Sequence, residues 1–134
     1  MTVVDASAVV DLLLPPADVE RRAFLLAEAP EPGEPWLAPD ILPFEVFSVI
    51  RRQVLRDALP AKLATHALRR LRKLPITFIP TGSLLGPAWN LRTRFSAAGA
   101  LYASLALRAQ EPLLTTDKRL ARAASAHSIA VLQP

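Results

Sequence analysis

Short apolar runs alternate with longer amphipathic ones along this chain. The segments "TVVD", "WLAP", "ITFIP", "PLLTTD" and "IAVLQP" hold a few consecutive apolar residues beside polar or turn-forming ones, the pattern of short strands. Between them apolar positions recur at helical spacing and predict helices over 7–14, 17–28, 40–57, 60–73, 83–95, 97–110 and 118–126. Pro60 suits a first helical turn, where its missing N–H has no helical partner to lose. Pro75 disfavours helix in the residue before it and so ends the preceding helix. "EAPEPGEP", residues 28–35, reads as a Pro/Gly-rich loop rather than a domain linker, because too little chain precedes it to fold alone. There is no internal repeat or low-complexity tract. Strands and helices in alternation predict an α/β fold, a mostly parallel sheet with helices on both faces. Ligands in such folds meet the carboxyl ends of the strands.

That rule makes three acids informative. Asp5 directly follows "TVV" and Asp117 directly follows "PLLTT", so both belong at the carboxyl edge of the sheet. Each also suits a helix N-cap. Glu45 is the only charge in residues 41–50, within a helix apolar on nearly every side, as expected of a buried element. A carboxylate in such a helix is costly unless a cation or hydrogen bonds receive it. It either reaches solvent along a narrow strip with Ser48 and Arg52 or points inward to meet the two aspartates. An inward Glu45 completes an oxygen-rich site suited to Mg²⁺ or Mn²⁺.

Composition narrows the chemistry further. At 134 residues the default is one domain over 1–134, long enough to bury about two thirds of its unfolded surface. The chain has no cysteine, which excludes disulfides, thiolate ligands and a thiol nucleophile. It is 51% hydrophobic with mean hydropathy +0.27, which points to apolar surface meant for an oligomer contact or a bound peptide. No basic segment precedes a long apolar run, and none reaches the roughly 18 apolar residues of a membrane span, so a cytoplasmic protein without a membrane anchor is expected. The net charge of +4 is unevenly spread. Residues 58–110 contain no Asp or Glu but carry Lys62, Arg69, Arg70, Arg72, Lys73, Arg92, Arg94 and Arg108. Such a tract can hold phosphates. For the cluster from Arg69 to Lys73, a solvated helix face is the alternative.

"FSAAGALYASLALR", residues 95–108, raises a separate question, because Gly99 weakens a helix interior by about 1 kcal/mol relative to Ala. Together with "VVDASAVVDLLL", "PDILPFEVFSVIRR" and "PLLTTDKRLARAA", this segment resembles the successive blocks of the PIN-domain ribonucleases, in particular the VapC toxins of bacterial toxin–antitoxin pairs. The blocks run in family order over nearly the whole chain. Each alone is a weak signal.

The resemblance implies a PIN-like three-layer sandwich in which four acids hold one or two divalent metals, Mg²⁺ or Mn²⁺, that activate water against an RNA phosphodiester. Asp5 matches the first acid, Glu45 the second and Asp117 the fourth. Ser7 and Thr115 match the small hydroxyl residues that support the site. The third acid belongs where the family reads Asp-Ala-Leu-Tyr, and here stands Gly99-Ala100-Leu101-Tyr102. In that pattern Gly99 fills the place of a metal ligand, either in a naturally degenerate toxin or through a single inactivating change; a glycine that the natural helix merely tolerates is the remaining alternative. Little RNA cleavage is expected of such a chain.

The resemblance further implies a homodimer and a cognate antitoxin seated in an apolar groove near the site. The helix with Phe44 and Phe47 and the helices near the start of the chain are the candidate surfaces, core packing of both rings being the alternative. Arg69, Arg70, Arg72, Lys73, Arg92 and Arg94 are candidates for contacting RNA. A catalytically dead antitoxin-binding or regulatory module is the rival function. A phosphoacceptor receiver fits less well, since "ITFIPTGS" supplies no acid after the third strand.

Overall fold

The protein is described by a computed structural model covering residues 1–14 and 18–134. In chain order its elements are β1 (Val3–Val4), α1 (Ala6–Leu13), α2 (Val19–Ala27), β2 (Trp36–Pro39), α3 (Leu42–Leu55), α4 (Ala61–Lys73), β3 (Ile76–Ile79), a 3₁₀ turn (Thr81–Leu84), α5 (Leu85–Asn90), α6 (Ala97–Ala109), β4 (Leu113–Leu114), α7 (Lys118–Ala126) and β5 (Val131–Leu132). The start expected for the second helix, at residue 17, lies outside the described residues.

The five strands form one sheet in the order β3-β2-β1-β4-β5, with every neighbouring pair parallel. The α/β fold read from the alternation of elements is therefore the one observed. From β1 the chain steps outward through β2 to β3, then returns to place β4 on the other side of β1. The reversal falls between β1 and β4, the position at which parallel sheets open a crevice beyond their carboxyl ends. Asp5 follows β1 and Asp117 lies just beyond β4, so both stand at that crevice.

Val3, Val4, Leu113 and Leu114 are fully buried. Helix α6 covers them, with every residue from Gly99 to Ala106 buried, so its apolar character extends round the whole helix. No helix among the described residues is long and apolar enough to cross a membrane.

Two expectations need correction. The helix predicted over 83–95 is broken into the 3₁₀ turn, the short α5 and a run of tight turns. Pro87 brings no N–H to the ladder. After Asn90 the backbone bonds shorten to Leu91 N–H on the Ala88 carbonyl and Arg94 N–H on the Leu91 carbonyl, both 3.0 Å. Helix α3 is not buried on all sides either. Leu42, Val46 and Ile50 recur every four residues on its inner face, while Phe44 is 67% and Phe47 49% exposed. Core packing of these rings is therefore not their role.

Candidate active site

Asp5 and Asp117 are both helix N-caps, and both caps face the crevice. Asp5 Oδ1 accepts the Ala8 N–H of α1 at 3.3 Å, and Asp117 Oδ1 accepts the N–H groups of Arg119 and Leu120 at 2.9 and 3.2 Å. Capping and site chemistry are compatible here, because a carboxylate has two oxygens and the cap uses one.

Hydroxyl groups join the two strand ends. Ser7 Oγ donates to Asp5 Oδ1 at 2.7 Å and accepts the Thr116 N–H at 3.0 Å. Thr115 Oγ1 accepts the Asp117 N–H at 3.0 Å and lies 3.3 Å from Ser7 Oγ. Thr115 is fully buried. The Asp5 N–H itself bonds the Leu114 carbonyl at 3.1 Å. These contacts fix how far apart the two aspartates stand.

Asp5 is 5% exposed. Burial pushes its carboxyl up to about 6, against the donors from Ser7, Ala8 and Thr115, and the negative charge of Asp117 adds to the rise. A carboxylate so placed gains from a cation.

Glu45 enters from α3 and meets α6. The Tyr102 hydroxyl donates to Glu45 Oε1 at 2.6 Å. Burial of the phenol, with the carboxylate that accepts its proton, raises Tyr102 well above the usual tyrosine range, so it stays a donor at any physiological pH. Gly99 lies one turn earlier on α6, where its N–H is received by the N-cap Ser96 Oγ at 3.0 Å. Asp5, Ser7, Glu45, Gly99, Tyr102 and Asp117 line one cavity of about 220 Å³. Space beside Gly99 is limited. A Cβ there would meet Ser96 Oγ at 3.0 Å and Leu120 Cδ1 at 3.3 Å, but no backbone atom among its nearest neighbours.

The three acids share this cavity without converging on a point. Among the described residues no three acidic or histidine side chains are close enough to form a ready cation cage. Asp5 Oδ1, Asp117 Oδ1 and Glu45 Oε1 are engaged by donors of the chain, while no donor among the described residues meets the second oxygen of each. An all-oxygen donor set of this kind suits Mg²⁺ or Mn²⁺.

The basic residues divide. Arg94 and Arg119, with Phe95, Ser96 and Asp117, line a cleft of about 210 Å³ that adjoins the acid cavity through Ser96, Asp117 and Leu120. Arg92 lies over the Trp89 ring, 4.6 Å from its centroid. Arg69, Arg72 and Lys73 line a separate hollow near the end of α4. That end leads directly into β3 and so lies at the amino edge of the sheet, opposite the acids. Arg70 bonds the Leu13 carbonyl there at 3.4 Å. The fold thus does not bring the Arg69–Lys73 cluster to the acid cavity.

Three residues of the site escaped the sequence reading. Tyr102 stands three positions after Gly99 and Ser96 three before it, spacings that share a helix face. Arg119 follows Asp117 within the first turn of α7. No local pattern sets Arg119 apart from the other arginines.

Comparison with known proteins agrees with this geometry. The PIN domain family matches residues 2–126. Ribonuclease VapC3 of Mycobacterium tuberculosis (strain ATCC 25618 / H37Rv) is 42% identical over 130 residues, 95% of this chain and 90% of that protein. Ribonuclease VapC1 of the same strain is 38% identical over 124 residues, covering 90% of this chain and 89% of its own length. VapC ribonuclease Mb0985 of Mycobacterium bovis (strain ATCC BAA-935 / AF2122/97) is 35% identical over 120 residues, 90% and 88% of the two chains.

Proposed function

Since the chain belongs to the PIN-domain family and to its VapC-type ribonuclease toxins, we propose that the acid cavity is a metal-dependent RNA-cleaving site short of one carboxylate, and weakly active for that reason. The observation that carries this reading is the position of Gly99, which lines the same cavity as Asp5, Glu45 and Asp117 and follows an N-cap that fixes its place on α6. A metal ligand on this turn would face the other three acids.

Asp5, Glu45 and Asp117 would hold the cation through the oxygens their caps and Tyr102 leave free. A divalent cation so held supplies Lewis-acid activation of water and charge neutralisation at a phosphodiester. Ser7 and Thr115 keep Asp5 and Asp117 at a fixed separation, and Tyr102 aims Glu45. Arg94 and Arg119 receive phosphate oxygens beside Asp117. Removing a cation's direct carboxylate ligand costs at least the roughly 10- to 100-fold seen when the partners of such ligands are changed.

Phe44 and Phe47 flank Glu45 on α3 and are exposed, which supports a protein partner, an antitoxin or a second copy in a homodimer, seated beside the site. Gly99 also favours a second reading. In it the chain binds an antitoxin tightly, and its cavity does no chemistry.

A cleavage assay on single-stranded RNA in Mg²⁺ or Mn²⁺, with chelator as control, tests the proposal. The expected result is little cleavage by the chain as it stands and clear metal-dependent cleavage by Gly99→Asp, lost again in the Asp5→Asn/Gly99→Asp double variant. Equal cleavage by the chain with and without Gly99→Asp, abolished by Asp5→Asn, contradicts the missing-ligand account. No cleavage by either favours the antitoxin-binding reading.

A further inference from the structure

Trp89 is 66% exposed, an uncommon placement for the largest side chain. One face of its ring carries a cation. Arg92 Nη1 donates to the Trp89 carbonyl at 2.9 Å, which holds the guanidinium over one face of the indole at 4.6 Å. The ring borders a groove of about 320 Å³ together with Leu85, Phe95 and Leu101, and among the described residues the one charge lining that groove is the Arg92 cation.

The groove adjoins the site. Phe95 and Ser96 line both it and the Arg94–Arg119 cleft, and Ser96 and Asp117 line both that cleft and the acid cavity. Three neighbouring hollows therefore lead in turn from the carboxylates, past two arginines, to an exposed aromatic face. Their order of chemistry is cation site, phosphate-binding groups, then a flat apolar surface with a cation.

Resting on the reading of the acid cavity as an RNA-cleaving site, we propose that this groove is a base-stacking subsite for single-stranded RNA. Trp89 stacks the base of a nucleotide neighbouring the scissile phosphate, and Arg94 with Arg119 holds the phosphate between the base and the acids. Unpaired bases present a flat π face to aromatic and guanidinium groups whatever their identity. The groove's volume falls at the low end of small-ligand sites, about 300–1,000 Å³, which suits one base. Its charge has the sign that a nucleotide requires.

The test measures binding in chelator, where no cleavage competes, using a short fluorescein-labelled single-stranded RNA of mixed sequence. Trp89→Ala is expected to raise Kd about 5- to 100-fold, the range of one lost base stack, and Trp89→Phe to restore most of the affinity. An abasic nucleotide at one position of the RNA should weaken binding to the unaltered protein by a similar factor and leave Trp89→Ala unaffected. That loss of additivity identifies the base Trp89 touches.

Unchanged RNA affinity in Trp89→Ala, alongside weaker binding by Arg119→Ala, overturns the subsite and leaves the acid-cavity reading standing. Unchanged RNA affinity with a dimer reduced to monomer in sedimentation overturns it in favour of a second protein copy in the groove. No RNA binding by the unaltered protein overturns the nuclease reading and the subsite with it.

Discussion

The Tyr102 hydroxyl lies 2.6 Å from Glu45 Oε1 and ties α6 to α3 across 57 positions of sequence. Because the phenol keeps its proton, the contact has one direction, donor on Tyr102 and acceptor on Glu45, throughout the working pH range. It also explains how a helix with two exposed phenylalanines can turn its one acid toward the sheet.

Tyr102→Phe removes this donor while preserving the ring. It is expected to lower stability by about 1–2 kcal/mol, as for a hydrogen bond to a charged group in a half-buried place. Urea denaturation checks the loss. In the Gly99→Asp background the same change should reduce cleavage, because Glu45 is then free to turn away. Unchanged stability and cleavage would show that the bond does not hold Glu45.

Asp5 makes the metal-free protein sensitive to pH. Its folded carboxyl, near 6, binds a proton more tightly than the unfolded one near 3.8. Between these values the folded state holds more protons, so this contribution to stability is full below about pH 4 and falls as pH rises to about 6. A shift of this size corresponds to about 3 kcal/mol. In chelator, Asp5→Asn should therefore gain stability relative to the unaltered protein as pH rises from 4 to 7. Urea denaturation of both at several pH values measures the difference, and a difference that does not change with pH contradicts the assignment.

The expected strands and helices were legible because each carries its own period. The place of Asp5 and Asp117 at the carboxyl edge followed from the same alternation, whereas the pairing of β1 with β4 that sets them side by side is seen only in the sheet order. Other features depended on tertiary structure. Phe44 and Phe47 look like core residues in sequence, and their exposure depends on which face of α3 is turned to the sheet. The Arg69–Lys73 cluster looks like a phosphate site, but α4 runs back to the amino edge before β3 begins. The end of α5 at Asn90 falls where the helical period continues but the hydrogen-bond ladder does not. Pairing of Tyr102 with Glu45 had no local signal, because it joins residues of different helices.

The split of the basic residues gives a salt-dependent prediction. Arg119→Ala should weaken single-stranded RNA binding and reduce the slope of log Kd against log salt by about 0.7, the value for one phosphate contact. Arg69→Ala, at the opposite edge of the sheet, should leave that slope unchanged. Titrations at several salt concentrations distinguish the two, and the reverse result would move the RNA path to the α4 edge.

The central claim is that Gly99 stands where a fourth carboxylate would complete a cation site. Gly99→Asp adds negative charge beside Asp5, Glu45 and Asp117, and its Cβ must displace Ser96 Oγ and Leu120 slightly. In chelator this repulsion should outweigh relief of the glycine's helix penalty and lower the melting temperature. Mn²⁺ binds the folded state and should more than recover the loss, by about 10 °C at a hundredfold excess over Kd. The most direct measurement is the melting temperature of the two proteins, with chelator and across a Mn²⁺ titration. The account predicts a large Mn²⁺-induced rise for Gly99→Asp and a small one for the chain with glycine; equal rises for both would contradict it.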